Sequence, residues 1–92
     1  MIEPETRLRR REGLLTQRAD DTWVVLDPED GSYYAFDEVS GRIWDLCDGS
    51  HTVAAVVETI CAEYDESAET ITTDVLEFLS ELVDGDLVAE QS

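Results

Sequence analysis

The chain has 92 residues, 42% of them hydrophobic, and 23 acidic residues against six arginines and one histidine give a formal charge of −17. That length supports one domain with one modest core, while the excess negative charge repels nucleic acid and anionic lipid, whose binding rests on Lys and Arg. No apolar run reaches the roughly 18–20 residues of a membrane span, and Met1-Ile2-Glu3-Pro4-Glu5 has no apolar signal core, so a cytoplasmic protein is expected.

Charge is unevenly placed. Residues 1–18 hold five Arg and three Glu, whereas residues 19–92 hold one Arg (Arg42) and 20 acids. The acids form either a solvated surface or a field that steers a basic partner. Residues 1–12, with Arg7-Leu8-Arg9-Arg10-Arg11, read as a mobile charged arm, and residues 13–92 as a single domain. Gly13–Arg18 and Trp23–Asp27 follow as two short strands, the second rich in aromatic and β-branched residues. Pro28-Glu29-Asp30-Gly31-Ser32 is a turn, and Tyr33-Tyr34-Ala35-Phe36 is the third strand of a meander.

From Asp37 the period becomes helical. Asp37 caps a helix through about Cys47, with Val39, Ile43, Leu46 and Cys47 on one face. Asp48-Gly49 breaks it, and Gly49-Ser50-His51-Thr52 reads as a connection. Thr52 caps a second helix whose Val53, Val56, Val57, Ile60, Cys61 and Tyr64 form an amphipathic stripe. Ser67 caps a third, running to about Asp84 with Gly85 as its C-cap. Asp86-Leu87-Val88-Ala89 can add a small strand. The fold class is α+β: a three-stranded antiparallel sheet followed by three helices, winged-helix-like in order.

The third helix is apolar over an arc of roughly 160°, through Ile71, Val75, Leu76, Phe78, Leu79, Leu82 and Val83, against the ~100° that seats a helix on a core. Either the whole face is core, or part of it borders a groove. The third strand carries large side chains on both faces and lies at a chain-terminal position of the meander, as an open edge would. An open edge beside an over-wide apolar helix suits strand addition by a peptide.

Catalytic patterns are scarce. His51 and Cys47 form no recognised dyad, Cys47, His51 and Cys61 have no zinc spacing, and the turn acids break the EF-hand pattern. Neither a phosphate loop nor a dinucleotide fingerprint is present. As a DNA-recognition helix the third helix would present Glu69, Asp74, Glu77, Glu81 and Asp84 to phosphate, which is repulsive. The two cysteines sit on apolar faces and read as free thiols. A non-enzymatic binder without metal or cofactor is expected.

The stretch Trp23-Val24-Val25-Leu26-Asp27 followed by Asp30-Gly31-Ser32-Tyr33-Tyr34-Ala35-Phe36-Asp37-Glu38-Val39-Ser40-Gly41-Arg42-Ile43-Trp44-Asp45-Leu46-Cys47-Asp48-Gly49 resembles the PqqD-like family. Thr52-Val53, Asp74-Val75-Leu76-Glu77-Phe78-Leu79 and Gly85-Asp86-Leu87-Val88 extend the resemblance. Ala55 stands where the family often has Glu, which removes a possible capping box at Thr52. The resemblance implies a recognition element for the precursors of ribosomally made, post-translationally modified peptides. Such an element binds the leader as an added strand between the third strand and the third helix. Carried over by position, Tyr33, Tyr34, Ala35 and Phe36 would offer the strand edge, with either tyrosine facing the ligand. Asp74, Val75, Phe78, Leu79 and Leu82 would line the helix side. The implied enzyme partners are a lasso-peptide leader peptidase and cyclase, which the style of the strand and first helix favours, or a radical-SAM enzyme of quinone-cofactor biosynthesis. A self-associating module using the same apolar face is the reading of another class, and monomer and dimer both remain open.

Overall fold

The chain runs β1 (Arg7–Arg10), β2 (Leu15–Ala19), β3 (Thr22–Leu26), β4 (Tyr33–Phe36), α1 (Glu38–Leu46), β5 (Asp48–Thr52), α2 (Val53–Glu63), α3 (Ala68–Asp84) and β6 (Val88–Gln91) in the structure, a computed structural model that describes residues 2–91. The expected meander is present as an antiparallel sheet in the order β2-β3-β4. Ala19 faces Thr22 across a two-residue turn in which Asp20 takes φ +55, a left-handed position that Asp tolerates. Trp23 and Val25 alternate inward and are buried, as period-two patterning requires.

The three helices start where their caps predict. Asp37, Thr52 and Ser67 each accept from the backbone N–H three residues on, at Ser40 (2.8 Å), Ala55 (3.1 Å) and Thr70 (3.2 Å). Thr52 therefore caps its helix without the family's glutamate. Gly41 brings α1 onto the sheet, since a Cβ there would lie inside the Trp23 ring. Trp23 Nε1 donates to Asp45 (3.0 Å) and Trp44 Nε1 to Thr16 (2.9 Å), so both buried indoles are satisfied. Ile43, Trp44, Val56, Ile60, Ile71, Val75, Leu79 and Leu82 complete one core between sheet and helices.

The N-terminal segment is the main correction. Residues 1–12 were expected to be a mobile arm, yet Arg7–Arg10 is the central strand of a second antiparallel sheet, ordered β5-β1-β6. Its physical basis is alternation hidden by charge. Leu8 points inward at 3% exposure while Arg7 and Arg9 face solvent. Arg10 reaches back to donate to the carbonyls of Trp44 (2.8 Å) and Asp45 (2.9 Å), a cation at the C-terminus of α1. Arg11 pairs with the nearly buried Asp27, tying the new strand to the β3–β4 turn. The expected connection 49–52 is likewise a strand, β5, which passes Gly49 at φ +84 opposite an irregularity in β1. The small C-terminal strand exists, shifted to Val88–Gln91.

Asp48 organises the start of β5. Its Oδ1 accepts from the Ser50 hydroxyl (2.7 Å) and amide (2.9 Å) and lies 3.0 Å from His51 Nδ1. The Ser50 hydroxyl above all, against a partial push upward from burial and with help from the Ser50 amide and His51, holds this carboxyl well below the usual carboxylate range.

Two outcomes are expected. Leu8→Ala should lower unfolding free energy by about 2–4 kcal/mol in urea titration, whereas a mobile arm would leave it unchanged. A carboxyl depressed on folding stabilises above its ordinary value and loses that contribution as pH falls. Asp48→Ala should therefore lower the unfolding free energy from urea titration at neutral pH, by under about 1 kcal/mol for so exposed a group. The gap should narrow below about pH 4; a gap undiminished at about pH 2 would contradict this role.

Candidate functional site

β4 pairs with β3 alone, so one side of it is open. The Asp27 N–H donates to the Ser32 carbonyl (2.8 Å) at the base of the hairpin. Antiparallel alternation then makes Val25–Tyr34 and Trp23–Phe36 the bonded pairs, and turns the N–H and C=O groups of Tyr33 and Ala35 outward. The backbone of this edge thus offers two residues' worth of donors and acceptors to an incoming strand.

The side chains divide the other way. Tyr34 and Phe36 share the inner face with the buried Trp23 and Val25 and are half-buried against the core. Tyr33, 71% exposed, and Ala35 lie on the outer face. Tyr34 is therefore the tyrosine directed toward the helices. The Phe36 ring meets Phe78 of α3 edge-on at 5.1 Å and Trp44 of α1 at 5.7 Å, which sets the distance between the open edge and α3.

The wide apolar arc of α3 divides as its width requires. Ile71, Val75, Leu79 and Leu82 are buried, Phe78 and Val83 are half-buried, and Leu76 is 38% exposed. Of the helix-side residues expected from sequence, Asp74, Val75 and Phe78 come together at a surface cavity of about 450 Å³. Leu79 and Leu82 do not: they are core residues, 0% and 2% exposed. The cavity is closed by Val39 and Ile43 from α1, Ile60 and Tyr64 from α2, and Ile71. Each of these belongs to a helix stripe that also packs the core, so helical periodicity alone does not mark it as a cavity residue. Asp37, at the end of β4, shares the rim with Asp65, Glu66 and Asp74.

The arrangement suits binding more than bond chemistry. Burial pushes the Cys47 thiol up to about 12, so it is not a thiolate near neutral pH. His51 is engaged by Asp48 and Ser50 within β5 and does not line the cavity. Among the described residues no group of three His, Cys, Asp or Glu side chains is placed to hold a metal ion, and no helix is long and apolar enough to cross a membrane.

Known proteins share this pattern. The family model for coenzyme PQQ synthesis protein D (PqqD) matches residues 22–88. The PqqA binding protein of Rhodopseudomonas palustris strain HaA2 is 36% identical over 76 residues, covering 79% of this chain and 72% of that protein. A solved structure of TbiB1 in complex with the TbiA(beta) leader peptide superposes with a TM-score of 0.79 at 28% identity, over 91% of this chain and 98% of that one. Lasso peptide synthetase B1 complexed with the leader peptide shares the fold, with a TM-score of 0.79 at 19% identity over 90% of this chain and 98% of that one. The family match takes in β3, β4 and all three capped helices, and the chain belongs to the PqqD family.

Proposed function

We propose that this protein binds the leader segment of a ribosomally made precursor peptide and presents it to a maturation enzyme in the cytoplasm, without catalysing a reaction itself. The observation that carries the reading is the open β4 edge, with outward main-chain groups at Tyr33 and Ala35, standing beside the half-buried Phe78. A leader strand would take its register from those main-chain groups. Its inward side chains would rest on Tyr34, Phe36 and Phe78, and one anchor would enter the cavity over Val75 and Asp74.

Burial of two or three apolar anchors at ~1.5–3 kcal/mol each, less the ordering of the peptide, fits micromolar to nanomolar affinity. Two relatives support the choice of ligand: TbiB1, solved with a leader peptide, and the proteins named for binding PqqA. The lasso branch, with a leader peptidase and cyclase, rests on the style of the strand and first helix, and the fold shared with lasso peptide synthetase B1 over 90% of this chain supports it. The radical-SAM branch is favoured by the 36% identity to a PqqA binding protein. The enzyme encoded beside the gene separates them.

Isothermal titration with the leader encoded next to the gene tests the reading. Phe78→Ala should weaken binding at least tenfold with the helical circular dichroism unchanged, and equal affinity would contradict the groove. Ala35→Pro removes one outward N–H from an edge position that tolerates proline. It should abolish binding while the β3–β4 pairing survives, and a leader that still binds it with parent affinity would contradict strand addition.

A further inference from the structure

The outer face of the hairpin sheet has no role in the core or in the groove. In the observed register Leu15 lies opposite Leu26, and Leu26 opposite Tyr33. These three are 57%, 37% and 71% exposed, so one partly exposed apolar row crosses all three strands. The other outward positions are Gln17, Ala19, Thr22, Val24 and Ala35. None is charged, in a chain where 32% of residues are. A sheet face kept free of charge on so acidic a protein is a surface that something else covers.

A second copy fits poorly. Each copy carries −17, and the row offers on the order of 300 Å² of apolar surface, far from the ~800 Å² per partner of a stable interface. The geometry of the edge favours a different occupant. A peptide strand added to β4 becomes the fourth strand of this same sheet, and its alternate side chains project onto the outer face beside Tyr33 and Ala35. The peptide therefore widens the row as it binds.

Resting on the leader-binding reading above, we propose that the outer face, completed by the bound leader, is the docking surface for the maturation enzyme. The enzyme's complementary patch is apolar at its centre and basic around it, because the turns bounding the sheet carry exposed acids, Asp20 and Asp21 at one end and Glu29 and Asp30 at the other. A patch of this size gives a transient contact that tightens only in the leader-bound state, which suits a protein that hands its ligand on.

The test uses the whole protein, the leader and the purified maturation enzyme encoded beside its gene. In Leu15→Asp/Leu26→Asp the leader affinity should stay within twofold, since neither residue borders the groove. Enzyme binding to the leader-loaded protein, read by biolayer interferometry, should fall at least tenfold. Leu15→Gln/Leu26→Thr keeps strand propensity and carries the same test should the charged variant fail to fold. Parent-level enzyme binding by the folded variants would overturn the docking face and leave leader binding standing. A parent that fails to bind the leader, yet loses enzyme binding on these substitutions, would keep the face and overturn the leader reading. Sedimentation showing a parent dimer that the substitutions convert to monomer would assign the face to self-association and overturn the proposal.

Discussion

Phe36 is the contact on which the rest of the site depends. It ends β4, an edge strand of the hairpin sheet bonded on a single side, and its ring is caught between Trp44 of α1 and Phe78 of α3. A free strand edge on a small protein ordinarily invites aggregation and is blunted by charge, proline or a covering element. Here it is held rigid at a fixed separation from a helix. The main-chain groups of Tyr33 and Ala35 stay open, the inward side chains form an apolar floor, and ordering has been done before a ligand arrives. Pre-organisation of that kind lowers the entropy lost on binding.

The few basic residues explain why so acidic a chain still folds around this edge. Arg10 donates to the C-terminal carbonyls of α1, and Arg11 pairs with the nearly buried Asp27. Arg18 lies over the Trp23 ring, 4.4 Å from its centroid, and Arg42 makes a bidentate pair with Glu63 that joins α1 to α2. Each is committed to structure. The acids on the cavity rim, Asp37, Asp65, Glu66 and Asp74, form no ion pair among the described residues, so their field is available to a partner.

Much of this was legible in the sequence because the signals are local. The caps Asp37, Thr52 and Ser67, the C-cap at Gly85 and the strand Tyr33–Phe36 stand where residue chemistry puts them. The second sheet was not legible, for a physical reason. A four-residue strand with three arginines shows one inward residue, Leu8, and its pairing with β5 and β6 is long-range, so no local pattern announces it. The candidate cavity was legible in outline and blurred in detail. The excess width of the α3 stripe revealed a surface, but periodicity could not tell Phe78, which borders the groove, from Leu79 and Leu82, which do not. The choice between Tyr33 and Tyr34 needed the strand register, which the Asp27–Ser32 bond supplies.

Amide hydrogen exchange, residue by residue along β4, tests strand addition most directly. In the free protein Tyr34 and Phe36 should be protected by β3, while Tyr33 and Ala35 exchange rapidly because their N–H groups face solvent. Saturation with the leader should slow Tyr33 and Ala35 by at least tenfold and leave Tyr34 and Phe36 as they were. Leader binding that leaves Tyr33 and Ala35 as fast as before would contradict the central claim.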